Sequence, residues 1–158
     1  MHEENAFITL TFDDEHLPAN GSIDPLDLQN FFRRQREKIY PRKMSYFACG
    51  EYGEQLGRPH YHALIFGHGY PDKEPLDQPG EHKLYKSESL SELWPYGMHS
   101  IGAVTEQSAG YVARYSLKKI NGDNQEEHYK GKKPEFLLSS RKPAIGKTWF
   151  EKFKGDLL

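Results

Sequence analysis

Five stretches of the chain carry hydrophobic residues with the spacing of β-strands. One covers residues 6–12 (AFITLTF), and another covers residues 60–66 (HYHALIF), bounded by Pro59 and Gly67. The other three predicted strands are residues 44–51, 98–104 and 135–139. A short loop joins residues 44–51 to residues 60–66, so we expect these two strands to pair antiparallel.

Hydrophobic residues at helical spacing lie between the strands. Residues 25–40, 88–94 and 106–119 are predicted helices, and a short closing helix is predicted at 148–153. The first three each follow a residue that commonly caps a first turn, namely Asp24, Ser87 and Thr105. The order of elements predicts an α+β domain, in which helices pack on a central antiparallel sheet of about five strands.

The connecting segments are polar and rich in turn-forming residues. Residues 67–86 contain many Gly, Pro and charged residues and are predicted to form a long exposed loop. Residues 121–134 are predicted to be a mobile connection. Residues 140–146 are predicted to form a turn that presents two cations, Arg141 and Lys142.

A His-x-His pair on the 60–66 strand is the first candidate for chemistry. Alternate residues of a strand point to the same face, so His60 and His62 should lie about 7 Å apart on one face. Two imidazoles on a rigid element favour a metal site. Glu51, near the end of the neighbouring strand, is the preferred third ligand, and Glu54 in the loop is the alternative. Half-exposed strand histidines without a ligand would show the same spacing.

The helix that follows Thr105 carries two tyrosines. Tyr111 and Tyr115 stand at positions i and i+4, so their phenol groups should project from one helical face. Lys118 lies three residues further on, close to that face. The alternative interpretation is that both tyrosines pack into the core with their apolar neighbours.

Four stretches, taken in order, are similar to a known group of enzymes. They are FITLTFDDEHLP, CGEYGEQLGRPHYHALIFG, GYVARYSLKK and SRKPAIGKTWFEK, and together they span most of the chain. The chain resembles the HUH endonucleases, which nick single-stranded DNA through a tyrosine. Within that superfamily it is most similar to the two-tyrosine replication initiators of microviruses, in particular the gokushovirus-like phages.

The resemblance implies both a fold and an activity. It implies the HUH fold, with the histidines on the sheet and the tyrosine helix packed nearby. Tyr111 and Tyr115 would be the nucleophiles that attack origin DNA, giving a 5′-phosphotyrosyl bond and a free 3′-hydroxyl that primes rolling-circle replication. Lys118 would stabilise the phenolate or the departing oxygen. Origin single-stranded DNA is the expected partner, and host replication proteins are further candidates.

The expected cofactor is a divalent metal ion. Two imidazoles and one carboxylate suit Mn²⁺, and Mg²⁺ is favoured by its cellular abundance. The same ligands would also satisfy a hydrolytic zinc site. The pair of phenols favours transesterification over hydrolysis.

Net charge changes the picture only through its distribution. The chain has a formal charge of −2 and a pI near 6.4, which is not typical of a nucleic-acid-binding protein. From residue 107 onward, however, eleven Lys and Arg residues face six Asp and Glu residues. DNA contacts are therefore predicted for Lys119, Arg141 and Lys142, with Arg58 beside the histidine pair. An ordinary surface role for Arg58 is equally compatible with the sequence.

Length and composition set the remaining expectations. We expect residues 1–158 to form a single nuclease domain, and the abrupt start at Met1 suggests a part of a longer replication initiator. The single Cys49 and the lack of an apolar run of about 20 residues favour the bacterial host cytoplasm and no membrane. Two alternatives remain, a non-catalytic single-stranded nucleic-acid binding module and an HUH transposase or relaxase.

Overall fold

An antiparallel sheet forms the centre of the protein in a computed structural model that describes residues 3–77, 80–118, 124–147 and 151–152. For residues 115–118 only the backbone is described. The sheet in these ranges has seven strands in the order β4-β5-β6-β1-β3-β2-β7. The strands are β1 Asn5–Thr11, β2 Ser45–Tyr52, β3 Pro59–Phe66, β4 Glu74–Pro75, β5 Tyr85–Lys86, β6 His99–Gly102 and β7 Phe136–Ser139.

Four helices accompany the sheet within the described ranges. They are α1 Pro25–Ile39, α2 Glu88–Leu93, α3 Glu106–Lys118 and α4 Gln125–Tyr129. The predicted caps are confirmed: the side chains of Asp24, Ser87 and Thr105 accept first-turn N–H groups of α1, α2 and α3, respectively. The predicted helix at 148–153 falls largely outside the described residues.

The α+β class and all five predicted strands are confirmed, but the sheet is larger than predicted. The two additional strands, β4 and β5, contain two residues each and lie in the segment 67–86. That segment is not simply an exposed loop, because Tyr70 is fully buried and its hydroxyl donates to Gln35 Oε1 at 2.8 Å. The polar composition concealed a single aromatic anchor.

The segment 121–134 also differs from the prediction of a mobile connection. Its described part contains α4, and Tyr129 at the end of this helix is buried. Most of the segment is polar, so the hydrophobic pattern that usually predicts a helix is absent.

The strands divide their side chains between two faces of the sheet. On β1, Ala6, Ile8 and Leu10 are buried in a core that also contains α1 residues such as Phe31 and Phe32. The opposite face carries a smaller cluster, made of Cys49, Leu64 and Val112 with partly buried neighbours. Since Val112 belongs to α3, this helix covers the second face. The period of two along each strand therefore gives α1 and α3 separate sides of one sheet.

Tyr61, the residue between the two histidines, ties β3 to the start of α1. Its hydroxyl donates to Asp27 Oδ2 at 2.5 Å and accepts the backbone N–H of Asp24 at 2.9 Å. Burial, followed by the hydrogen bond to Asp27, raises the pKa of Tyr61, so its hydroxyl stays protonated. The strand that carries the histidines is thus fixed to α1 from the other face.

Tyr61→Phe should lower the free energy of unfolding by about 1–3 kcal/mol, because Asp24 and Asp27 lose a buried partner. Urea denaturation followed by circular dichroism measures the change. Tyr46→Phe is the matched control, since its ring stacks on Phe32 at 3.6 Å and its hydroxyl has no hydrogen bond among the described residues. An equal loss in the two variants would contradict a special role for the Tyr61 hydroxyl.

Candidate active site

Strand pairing brings the site residues together. β3 lies between β1 and β2, and His60 is directly opposite Glu51 on β2 and Thr11 on β1. His62 is opposite Thr9 on β1. Because residues 60 and 62 alternate with Tyr61, both histidines point to the face that α3 covers.

Glu51, His60 and His62 converge on one point. The Nε2 atoms of His60 and His62 lie 2.6 Å and 2.9 Å from Oε1 of Glu51. Within the described residues, this trio has one potential ligand atom from each member, all within 4.8 Å of one another. Glu51 and His62 are only 3% and 7% exposed. The carboxylate that meets the histidines is therefore that of Glu51, and Glu54 lies elsewhere on the wall of the cleft.

The electrostatics of this trio favour a bound cation. Burial raises the pKa of Glu51, but hydrogen bonds from His60 and His62 outweigh it and hold the pKa at about 2. Glu51 is thus ionised at neutral pH. Burial lowers the pKa of His62, which favours its neutral, metal-binding form. A buried anion beside neutral imidazole nitrogens is a suitable donor set for a divalent ion.

The outer ring nitrogens fix the orientation of both histidines. Nδ1 of His60 lies 3.1 Å from the carbonyl oxygen of Arg58, which can only accept, so Nδ1 carries the proton. Nδ1 of His62 lies 2.9 Å from Oγ1 of Thr9. With Nδ1 of His60 protonated, the close approach of Nε2 to Glu51 needs a second ring proton or a cation between the two groups. These contacts are the outer-shell partners that metal-binding histidines usually have.

Tyr111 reaches this trio from α3. Its hydroxyl donates to Oε1 of Glu51 at 3.0 Å. Its ring meets His62 edge to face at 5.0 Å between centroids, and Phe7 stacks on the other side of His62 at 5.6 Å. Tyr111 is 39% exposed, so a large substrate can reach the phenol. The i, i+4 tyrosine helix therefore does bring Tyr111 to the histidine pair.

An open cleft of about 450 Å³ leads to the site. Its walls are Glu51, Tyr52, Gly53, Glu54, His60, Tyr111 and Arg114. Arg114 is exposed and stands one helical turn after Tyr111. The sequence analysis missed this cation, although its spacing of three residues from Tyr111 was available as a signal. Thr9 and Phe7 were also missed, because only strand pairing brings them to His62.

Comparison with known proteins follows the same boundaries. Residues 5–120 match the family of the replication-associated protein ORF2. The chain belongs to this family. The match includes every residue of the trio together with Tyr111, so the site lies inside the family's shared region. No solved structure matches the chain.

Similar family members come from phages and related viruses. Replication-associated protein VP4 of Bdellovibrio phage phiMH2K is 39% identical over 97% of this chain and 50% of its own length. Replication-associated protein ORF4 of Chlamydia phage 1 and replication-associated protein ORF2 of Spiroplasma virus 4 are each 35% identical over 75% of this chain. These matches cover 32% and 39% of those two proteins. The chain thus spans half or less of the length of each relative.

The other residues predicted for the site have different positions in this family member. Arg58 is bound to Asp14 at 2.7 Å and to the carbonyl of Phe12 at 3.0 Å, and it does not line the cleft. The backbones of Tyr115 and Lys118 belong to α3, but their side chains lie outside the described part. Lys119 lies outside the described residues altogether.

Arg141 and Lys142 are not part of the cleft. They follow β7, where the N–H of Ser140 donates to the carbonyl of Tyr46. Tyr46 is five residues before Glu51 on β2, a distance of about 17 Å along the strand. Both cations also lie beyond residues 5–120. No helix in the described ranges is both long and apolar enough to cross a membrane.

Proposed function

We propose that this chain is a site-specific single-stranded DNA endonuclease and ligase of the HUH type, which initiates rolling-circle replication of a phage genome. The observation that carries the proposal is the 3.0 Å contact between the Tyr111 hydroxyl and Glu51, the carboxylate shared with His60 and His62. A phenol at a potential metal centre is the arrangement that tyrosine transesterification needs. Membership of a replication-associated family supports the role in replication.

Glu51, His60 and His62 would hold a divalent ion, Mn²⁺ or Mg²⁺. When bound, the ion would withdraw charge from the oxygens of the scissile phosphate and orient it for in-line attack. The protein contributes a rigid strand pair, so the ligands keep their positions before DNA arrives. His60 and His62 are also held through Nδ1 by Arg58 and Thr9.

The residues of the chain itself would perform the bond exchange. The Tyr111 oxygen loses its proton and forms a bond to phosphorus, while the bond between phosphorus and the 3′-oxygen breaks. The 3′-oxygen takes up a proton and leaves as a free hydroxyl, and the DNA remains attached through its 5′-phosphate. The reverse reaction rejoins the strand without a nucleotide, because the phosphotyrosyl bond keeps the energy of the phosphodiester. Arg114 is positioned to bind phosphate oxygens in the cleft.

Tyr115 and Lys118 complete the proposal from sequence position alone. Tyr115, one turn beyond Tyr111, would serve as the second nucleophile, which cleaves the regenerated origin while the first strand is still linked. Lys118 would favour the phenolate form of a nearby tyrosine. Residues 1–158 would then act as the nuclease domain, working on origin DNA in the bacterial host cytoplasm with host replication proteins as partners.

An adduct assay with end-labelled DNA tests the proposal. The chain is incubated with Mn²⁺ or Mg²⁺ and single-stranded oligonucleotides tiled across the genome that encodes it. We expect one oligonucleotide to give a denaturation-resistant adduct that keeps a 3′ label. A 5′ label should leave on a shorter strand that a polymerase can extend. EDTA should prevent both products.

Other outcomes of this assay would point to other functions. Binding without any adduct would favour a non-catalytic single-stranded DNA module. Cleavage that produces two free fragments, with Zn²⁺ as the most effective ion, would favour metal-assisted hydrolysis and contradict the proposed transesterification.

Thr9→Val should weaken metal binding by about 10- to 100-fold, because His62 loses the hydroxyl that fixes its ring. Calorimetric titration with Mn²⁺ measures the affinity. Thr11→Val is the matched control: it lies on the same face of β1, but its hydroxyl donates to the Met98 carbonyl instead. Equal effects in the two variants would refute the specific role of Thr9, and Thr9→Ser should restore affinity.

A further inference from the structure

A second cleft opens at the far end of the sheet from the candidate active site. It has a volume of about 400 Å³ and lies between the C-terminal end of α1 and the turn after β7. Six cations line it, namely Arg36, Arg42, Lys43, Arg141, Lys142 and Lys147. No carboxylate is among the described residues that line it. We refer to this cleft as the basic groove.

The positive charge of the basic groove is concentrated, since the whole chain carries a formal charge of −2. Three of its cations have partners: Arg42 pairs with Glu4, Lys147 pairs with Glu151, and Arg36 lies over the Tyr46 ring. Lys43, Arg141 and Lys142 are exposed, and no described carboxylate lies within ion-pair distance of them. These three are therefore available to an anionic ligand.

The turn that carries Arg141 and Lys142 is held firmly. The hydroxyls of Ser45 and Ser140 both donate to the carbonyl of Pro143, at 3.1 Å and 2.8 Å. Ser45 is the first residue of β2, so the turn is fixed to the same strand that contains Glu51. The cations of the groove thus have a defined position relative to the sheet.

An exposed aromatic ring identifies the kind of ligand. Tyr40 lines the groove and is 82% exposed, although a large ring normally gains stability from burial. Sites for single-stranded nucleic acid combine cations that follow the backbone with aromatic rings on which bases stack. A membrane surface or an acidic peptide would use the cations but would not need a ring beside them.

We propose that the basic groove binds single-stranded DNA, at a place about 17 Å along β2 from Glu51. The groove would hold DNA that flanks the cleaved phosphate. This inference deepens the proposed function, because it assumes that single-stranded DNA is the substrate. Two of the three available cations, Arg141 and Lys142, lie outside residues 5–120, the part of the chain that matches the family.

The test compares two triple variants that remove the same charge. One is Lys43→Ser, Arg141→Ser and Lys142→Ser in the groove. The control is Lys73→Ser, Lys83→Ser and Lys86→Ser, three exposed lysines around β4 and β5 at the opposite edge of the sheet. Fluorescence anisotropy measures the affinity for a thymidine oligonucleotide of about 16 nucleotides in EDTA at about 0.1 M salt. Thermal melting shows that each variant is folded.

We expect the groove triple to lose at least about tenfold in affinity and the control triple less than about twofold. The slope of log affinity against log salt should decrease by up to about 2 in the groove triple, since each lost phosphate contact contributes about 0.7. Equal losses in the two triples would overturn the proposal. Unchanged DNA affinity in the groove triple, with loss of binding to phosphatidylserine vesicles, would overturn it in favour of a membrane surface.

Tyr40 provides an independent test. Tyr40→Ser should weaken binding to the thymidine oligonucleotide about tenfold but leave binding to an abasic strand of the same length unchanged. Tyr40→Phe should retain the affinity of the natural chain. If Tyr40→Ser weakens both strands equally, or neither, base stacking in the groove is refuted.

The two proposals can fail separately. The binding assay contains EDTA and reads affinity, so it does not depend on the metal or on Tyr111. Loss of groove binding with normal adduct formation would overturn only the groove. Groove-dependent binding without any adduct would overturn only the nicking activity.

Discussion

Replacing Tyr111 and Tyr115 together with phenylalanine should abolish the covalent protein–DNA adduct, a loss of at least about a thousandfold in rate. Phenylalanine keeps the ring of Tyr111 against His62 and Phe7 but removes the only atom that can attack phosphorus. The adduct assay with 3′-labelled DNA measures the loss. Binding of the same DNA in EDTA should stay within about twofold, because the rings are retained.

The matched control for the double variant is Tyr96→Phe, which changes a tyrosine that does not line the cleft. It should form the adduct at the normal rate. Persistent adduct in the double variant would show that a different residue is the nucleophile, and mass spectrometry of the linked peptide would identify it. Each single variant, mapped in the same way, assigns the order in which the two tyrosines act.

His60→Ala should reduce adduct formation by more than about a hundredfold at low Mn²⁺ concentration. The substitution removes one of three ligands and leaves Glu51 with a single imidazole neighbour. Losing a ligand should exceed the 10- to 100-fold effect of losing an outer-shell partner. Calorimetry with Mn²⁺ should show a parallel loss of affinity, and excess Mn²⁺ should restore part of the activity.

His16→Ala is the control for this experiment. His16 is exposed and pairs with Asp13 outside the cleft, so its removal should change neither metal affinity nor adduct formation. Full adduct formation by His60→Ala in EDTA would mean that the reaction needs no metal. In that case the trio would be a purely structural hydrogen-bonded cluster.

Local patterns determined much of the fold. The alternation in residues 6–12 gave β1 because a half-buried strand exposes its side chains with a period of two. Asp24 before Pro25 gave the start of α1 because a carboxylate can satisfy first-turn N–H groups. The same local rules failed for residues 67–86 and 121–134. There, single tyrosines, Tyr70 and Tyr129, anchor polar segments by burying their rings.

For the candidate site, the sequence determined the types of residue and their local faces. His60 and His62 share a face because they alternate on a strand, and Tyr111 lies on a helix with a second tyrosine one turn away. The choice between Glu51 and Glu54 required the register of β2 against β3, in which Glu51 is directly opposite His60. A slip of one residue would turn Glu51 to the other face of the sheet.

Only the tertiary structure decided which distant residues meet. Thr9 reaches His62, and Arg114 reaches the cleft, through strand pairing and helix docking that join residues far apart in sequence. For the same reason Arg141 and Lys142, predicted to contact DNA, lie in a separate groove with residues from the end of α1. Short-range spacing fixes which side of an element a residue occupies. Packing between elements, driven by burial of both faces of the sheet, fixes which of those sides come together.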